Sequence, residues 1–455
     1  MEGLNKEIQM RIWRSAYVNV FIATVMIILL SRCSVETTSN SPNVILIMAD
    51  DMGKETLPSY GNIQNKTPYL DRMANHGILF KNCISQPLCT PSRVKIMTGK
   101  YNYRNYEYFG YLGGSEKTFG HLFRENGYAT GIAGKWQLNG LAYQEEVIDW
   151  KDSTRPIQLG FDEYSLWQLT KLRREGERFS NPLIEQNGEI LERDSSLYGP
   201  DIFADFILDF IDRKHEEPFF VYYPMVLVHD PFVPTPDSEA WQDEDRRYEN
   251  DTTYFKDMVA YTDQIVGRIL DKLEQHNIAE ETIVIFTGDN GTHPSIYSET
   301  DSGIIRGGKG NTTNAGTHVP LIIYRKGSEA SPFEYEGMIE FGDFYATFAE
   351  LLGAENTADG KSFLKVIEGD STFESRKTAF VHYDPKWGKN VNRYRSQFVR
   401  DLQYKLYSDD RFYFLEEDPL EEQNLLDRGL SLQQRTVYDK LRDALEKHPT
   451  LLPLE

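Results

Sequence analysis

NVILIMADDMG, residues 43–53, is an unbroken apolar run that ends in two aspartates, a methionine and a glycine. A strand that is apolar at every position has no face to give to water. It belongs inside a sheet covered on both sides, the usual situation of a parallel sheet. The carboxyl ends of such strands are where ligands bind, so two acids placed there read as functional groups. Similar apolar runs recur at residues 129–133, 219–228, 282–287 and 319–324. Between them, amphipathic helical spacing marks residues 69–80, 117–125, 202–214, 255–276 and 341–352. This alternation predicts an α/β fold with a large, mostly parallel central sheet flanked by helices.

Residues 150–198 are polar and irregular and residues 234–250 are acidic and turn-rich, so both read as surface excursions that could rim a pocket. From about residue 370 the pattern changes to short strands at 379–383, 397–402, 404–407 and 412–415, then a helix over 432–447. The expected organisation is a leader and polar linker over 1–40, a large domain over 41–369, and a small antiparallel C-terminal subdomain over 370–455. A chain of 455 residues has the length for a large core and such a companion.

Lys6, Arg11 and Arg14 precede an apolar stretch at 18–30, and a polar stretch follows. This describes a secretory signal better than a spanning helix, which needs roughly 20 apolar residues. An uncleaved N-terminal anchor is the alternative. Leu30-Ser31-Arg32-Cys33 resembles a bacterial lipoprotein processing site with Cys33 as the candidate lipid anchor, although Arg32 departs from the small residue expected there. The expected location is therefore outside the cytoplasm, reached through the export machinery: periplasm, outer membrane or cell surface. A net charge of -21 disfavours nucleic-acid binding, which needs a basic footprint. It does not exclude an anionic substrate in a locally positive pocket. Beyond the leader only Cys83 and Cys89 remain, which argues against a disulfide framework and makes Cys83 a small buried hydrophobe.

Cys89 lies in PLCTPSRVKIMTGK, residues 87–100, at an inferred strand-to-helix turn. Asp50 and Asp51 end one apolar run, and Asp289 and Asn290, in GDNG, follow another. If both strands share one parallel sheet, four oxygen ligands converge, a set suited to calcium or magnesium. The plainer alternative is that each pair caps a helix or turn. Arg93, Lys100, Lys135 in AGKWQLNG and Lys309 in RGGKGNTTNAGTHVP supply positive charge, and His229 in VLVHDPFVP can exchange a proton near neutral pH. A metal ringed by cations implies a tetrahedral oxyanion substrate. His293 and His318 are expected to border the cleft. His382, Lys386, Trp387 and Lys389, in HYDPKWGKN, could hold a sugar ring or a neighbouring anion, with interdomain packing and solvated charge as the alternatives. His76, His121, His215, His276 and His448 fall in helical or surface patterns and read as structural.

With these residues in place, the chain from about residue 42 resembles the type I, formylglycine-dependent sulfatases of the alkaline-phosphatase-like superfamily, in particular bacterial secreted carbohydrate sulfatases. The resemblance implies that Cys89, in Cys89-Thr90-Pro91-Ser92-Arg93, is converted to Cα-formylglycine by a formylglycine-generating or anaerobic sulfatase-maturating enzyme. It also implies that Asp50, Asp51, Asp289, Asn290 and the modified Cys89 bind one Ca2+, and that Arg93 steadies the aldehyde hydrate. Lys100 occupies a position more often held by arginine. Lys135 and Lys309 would clamp sulfate oxygens and His229 would assist the leaving group, with a sulfated glycan or oligosaccharide as substrate. One departure stands out: Gln137 replaces the histidine of the family's G-K-W-H-L-G, and an amide can hydrogen-bond but cannot carry a proton. Two rivals stay open, a phosphate-ester or phosphonate monoester hydrolase of the same superfamily and a non-catalytic glycan-binding homologue.

Overall fold

A computed structural model of the protein describes residues 41–140, 150–327, 332–374, 376–386 and 395–451. The leader with Cys33, and Trp387 and Lys389, lie outside the described residues. Among those described, no helix is long and apolar enough to cross a membrane. In chain order the strands are β1 (Asn43–Ala49), β2 (Ile78–Ile84), β3 (Ala129–Lys135), β4 (Glu163–Trp167), β5 (Ile184–Gln186), β6 (Glu189–Ile190), β7 (Phe219–Pro224), β8 (Thr282–Gly288), β9 (Tyr297–Thr300), β10 (Gly303–Arg306), β11 (His318–Val319), β12 (Leu321–Tyr324), β13 (Phe333–Glu340), β14 (Ala379–Tyr383), β15 (Ser396–Arg400), β16 (Tyr404–Tyr407) and β17 (Phe412–Phe414). The principal helices are α1 (Pro68–His76), α2 (Cys89–Thr98), α3 (Phe119–Glu125), α4 (Gly199–Lys214), α5 (Phe255–Gln275), α6 (Gly342–Leu351) and α7 (Leu432–Leu445).

The main sheet runs β11-β2-β12-β8-β1-β7-β3-β4-β5-β6, with β13 beside β2. Its centre is parallel: β1 lies between β7 and β8, with Ala49 level with Gly288. β12 is antiparallel to both β8 and β2, so β2 points the same way as β1 and the sheet is mixed. The central strands are apolar throughout because successive side chains go to opposite faces and both faces are covered. Ile45 and Ile47 join one core with Phe203 and Ile207 of α4 and Ile265 and Ile269 of α5. Val44, Leu46 and Met48 join the other, with Phe119 and Phe123 of α3 and Phe344 and Phe348 of α6. The four-stranded antiparallel sheet β14-β15-β16-β17 lies beyond, and α7 packs on it through Leu441 and Leu445.

Some expectations need correcting. The helix foreseen over 69–80 ends at His76, since Gly77 turns the chain and β2 begins at Ile78. The run at 319–324 is split at Pro320, which has no N–H for the ladder, and is antiparallel to its neighbours. The irregular stretch 150–198 contains β4, an integral strand of the main sheet beside β3. The run 219–228 leaves regular strand at Pro224 but still follows the end of β1: Met225 N–H donates to the Met48 carbonyl (2.8 Å) and Asp50 N–H to that of Leu227 (2.7 Å). That path delivers His229 to the same edge as Asp50.

Candidate active site

The parallel register brings the acidic strand ends together. Asp51, with φ at 61°, turns back so that its backbone N–H donates to Asp289 Oδ1 (2.9 Å), while Asn290 Nδ2 donates to Asp51 Oδ1 (2.9 Å). Lys135, the last residue of β3, donates to Asp50 Oδ2 at 2.7 Å. Gly134 makes this approach possible, because a Cβ there would lie 2.0 Å from the Pro224 carbonyl oxygen. Lys309 donates to Asp51 Oδ2 (2.6 Å), and its Nζ lies 2.9 Å from His229 Nε2. Its Gly-rich loop packs closely: a Cβ on Gly307 would lie 2.3 Å from the His293 carbonyl oxygen. Cys89 opens α2, a helix whose ten residues are all buried, and its closeness to Asp50 and Asp289 puts the positive end of the helix beside the acids.

One ligand atom each from Asp50, Cys89 and Asp289 falls within 4.8 Å of the others, and the same is true of Asp50, Asp51 and His229. Asp50 Oδ1 and Asn290 Oδ1 are buried without a hydrogen-bond partner. Two orphaned oxygens among three buried carboxylates are what a hard cation would satisfy, so the residues fit the calcium set implied by the sequence. The electrostatics agree. Burial, then the charges of Asp50 and Asp51, push the Asp289 carboxyl well above the usual carboxylate range. Burial also acts to raise Asp50, but Lys135, His229 and Lys309 override it and hold that carboxyl well below the range. Burial pushes the Cys89 thiol up against the pull of Lys135 and Lys309, so it stays protonated at neutral pH.

His229 Nδ1 lies 2.6 Å from the Asp230 carbonyl oxygen and 3.0 Å from its carboxylate, which assigns the proton to Nδ1 and leaves Nε2 to accept from Lys309. Arg178 Nη2 donates to the Asp230 carbonyl, which brings it within 3.0 Å of Nδ1 without a hydrogen bond between those two donors, and its guanidinium stacks over Trp167 and Phe179. The Arg93 guanidinium donates to the carbonyls of Trp136 (2.7 Å) and Lys135 (2.6 Å), fixing the strand end that carries Lys135, and its Nε is buried without a hydrogen-bond partner. Gln137 follows two residues later, half-buried, with φ at 47° and its N–H on the Gln168 carbonyl.

Other candidates lie elsewhere. Lys100 is beyond the far end of α2 from Cys89 and pairs with Glu116 at 2.6 Å. His382 is buried in β14, accepting from Gln397 Nε2 (2.7 Å) and packing on Tyr103. Lys386 is exposed with φ at 46°. His293 is half-buried, bonded to Ser295 Oγ (2.8 Å) and set against Phe232. His318 is buried in β11 and paired across from Ile84. Sequence reasoning missed Arg178, Asp230 and Tyr383. The last has a buried, unpartnered hydroxyl and shares an apolar cluster with Cys89. Arg178 gave no signal within an irregular stretch, whereas Asp230, next to His229, could have been noticed.

The sulfatase family model matches residues 42–354. The chain belongs to the sulfatase family. It is thereby a sulfatase-type hydrolase, with the fold expected of that class. It is 30% identical over 387 residues to an arylsulfatase of Hemicentrotus pulcherrimus, covering 78% of this chain and 67% of the relative. It is 28% identical over 384 residues to an N-acetylgalactosamine-6-O-sulfatase of Bacteroides thetaiotaomicron, covering 69% and 73%. A solved structure from work on glycosaminoglycan metabolism by Bacteroides thetaiotaomicron covers 90% of this chain and 99% of its own, with a TM-score of 0.71 and 22% identity. At that identity the likeness concerns the fold of the sulfatase.

Proposed function

We propose that this sulfatase hydrolyses sulfuric esters on a carbohydrate, using residue 89 matured from Cys to Cα-formylglycine and one Ca2+ held by Asp50, Asp51, Asp289 and Asn290. The observation that carries the reading is the pair of orphaned oxygens on Asp50 and Asn290 beside Cys89, inside a ring formed by Lys135, Lys309 and His229. The protonated thiol fits a precursor better than a working nucleophile, because only the thiolate attacks. A carbohydrate substrate is supported by the relative named for N-acetylgalactosamine-6-O-sulfate chemistry.

When bound, the cation supplies positive charge for the nonbridging oxygens, and the formylglycine hydrate supplies the attacking hydroxyl. The chain's own residues do the rest. Lys135 and Lys309 hold sulfate oxygens as charge builds. The S–O bond to the sugar breaks, and the departing alkoxide takes a proton from the Lys309–His229 pair, whose hydrogen bond keeps one at hand. Overall, one water is consumed and an alcohol and a sulfate are released. Arg93 positions Lys135 through its carbonyl, and Gln137 offers a hydrogen bond where relatives place a histidine. Because every residue of α2 is buried, the maturing enzyme must read CTPSR before the chain folds. Export, and a lipid on Cys33, belong to the same proposal.

The test is the mass of the peptide containing residue 89, made in a host competent on a control sulfatase. The expected change is loss of one sulfur and two hydrogens with gain of one oxygen, together with hydrolysis of 4-nitrophenyl sulfate that Cys89→Ala abolishes. An unmodified thiol under those conditions would sink the reading.

A further inference from the structure

Lys309 sits in a stretch, residues 307–313, that is neither helix nor strand, so its place is set by what that loop is bonded to. On the side of the main sheet the hold is on the backbone. Lys309 N–H donates to the Thr292 carbonyl (3.0 Å), and Gly310 N–H to that of Pro87 (2.8 Å), two residues before Cys89. On the other side the hold comes from the small C-terminal sheet, and it closes on Thr312, three residues after Lys309. Lys405 Nζ, on β16, donates to the Thr312 carbonyl and to Glu421 Oε1 (2.8 Å). Tyr407, two residues along β16 and on the same face, gives its single hydroxyl proton to Glu421 Oε2, so it accepts one from Thr312 Oγ1 at 2.9 Å.

Thr312, Tyr407, Glu421 and Lys405 thus form a closed ring of hydrogen bonds that grips one loop residue by its carbonyl and its hydroxyl at once. Arg400 adds a second hold two residues on, donating to Asn314 Oδ1 (2.6 Å). The side chains of Lys405, Tyr407 and Glu421 are buried, and Lys405 Nζ lies 4.0 Å from the centre of the Phe398 ring. Taking an ammonium and a carboxylate out of water costs about what their attraction returns, so a buried pair adds little to stability over apolar side chains of the same size. What it does add is a fixed geometry, and the part fixed here is the loop that carries Lys309.

We propose that Lys405, Tyr407 and Glu421 are positioning residues for Lys309: acting through Thr312, they keep that lysine on His229, so that the small sheet governs protonation of the leaving alcohol. The proposal rests on the role given to Lys309 in the sulfatase reading above. The test uses two esters that differ in leaving group. The nitro group of 4-nitrophenyl sulfate lets the phenolate depart without a proton, whereas the phenolate of phenyl sulfate, as basic as that of tyrosine at about pKa 10, needs one. Wild type, Tyr407→Phe, Thr312→Val and Thr312→Ser, all matured at residue 89, are compared on both esters and by urea unfolding. Tyr407→Phe and Thr312→Val should each lower kcat on phenyl sulfate about tenfold, part of the roughly 10²–10⁴-fold that a placed proton donor supplies, and change 4-nitrophenyl sulfate by less than about twofold. Thr312→Ser keeps the hydroxyl and should behave as wild type. Equal losses on both esters, no loss on either, or Thr312→Ser no better than Thr312→Val would overturn the proposal and leave the ring a feature of the fold alone. If Tyr407→Phe loses cooperative unfolding, the two Thr312 variants decide. Wild type that turns over 4-nitrophenyl sulfate but not phenyl sulfate would also overturn it, since no leaving group would then be protonated. Failure of matured wild type on both esters would instead remove the sulfatase reading itself.

Discussion

Three hydrogen-bonding groups hold the two acidic loops in register, and none of them touches the ligand set directly. Thr292 Oγ1 accepts from Gly53 N–H (3.0 Å) and donates to Glu55 Oε1 (2.6 Å), tying the loop after β1 to the loop after β8. Both side chains are buried. A Cβ on Gly53 would lie 2.3 Å from the Glu55 carboxylate, so a side chain there would have to displace that carboxylate from Thr292. Thr292→Val keeps the shape and removes the hydroxyl, leaving a buried N–H and a buried carboxyl without their partner. The expected cost is about 1–3 kcal/mol in urea unfolding with a chelator present. Calcium affinity should also fall by about 10–100-fold, as happens when groups supporting metal ligands are lost. Calorimetric titration of the metal-free protein separates the two effects. Unchanged affinity would mean that the clamp serves stability alone.

Among the elements, the small sheet β14-β15-β16-β17 has a pH dependence that can be worked out. Burial holds His382 down to about 4, against an ordinary value of 6.5. Burial likewise lowers His448, whose ring stacks on Phe380 with centroids 3.6 Å apart. Between pH 6.5 and 4 the unfolded chain takes up a proton at residue 382 that the folded chain refuses. Stability is therefore intact above pH 6.5 and declines as pH falls, by about 2 kcal/mol at pH 5 for this one group. His382→Gln should flatten that decline in urea unfolding across the range, and an unchanged slope would refute the assignment. The strands of this sheet were readable because each alternates or fills a short apolar run between turns. β14 and β16 match the expected ranges to the residue. The central strands were readable for the opposite reason, being apolar throughout. β2 was not, because the apolar spacing of Leu70, Met73 and Ala74 is continued by Ile78 across the short break Asn75-His76-Gly77, so the helical pattern hides the start of the strand. β13 was missed as well, since FEYEGMIE is polar on one face over its first half. At the site, the acids, Lys135 and His229 were legible as residues that follow apolar runs, Cys89 as a residue at a strand-to-helix turn and Lys309 as a lysine between glycines in a loop. Lys100 and His382 were drawn in by chemistry alone, and only the fold shows that each is engaged elsewhere.

For the whole molecule, the question is whether residues 370–455 form a companion that could be removed. We propose that they do not, because the contacts across that boundary are buried and charged. Lys95, in the helix that begins at Cys89, donates to Glu340 Oε2 (3.0 Å) and to the carbonyl of Phe380 in β14 (3.2 Å). Arg376 donates to Asp343 (2.7 Å) and pairs with Glu340 (2.9 Å). Val381, Phe398 and Tyr407 of the small sheet share one apolar cluster with Leu88, Cys89 and Met338. Removing the small sheet would expose that cluster and strand Glu340 and Asp343 without Arg376. A chain ending at residue 369 should accordingly show no cooperative unfolding transition, while the full chain shows one. Lys95→Met tests the same coupling more gently. Breaking a buried pair by deleting one partner costs about 3–5 kcal/mol, so this variant should unfold at markedly lower urea while keeping a single transition. A truncated chain that unfolds cooperatively would show that the large domain stands alone, and the helix bearing Cys89 would then owe its position to the main sheet and not to the small one.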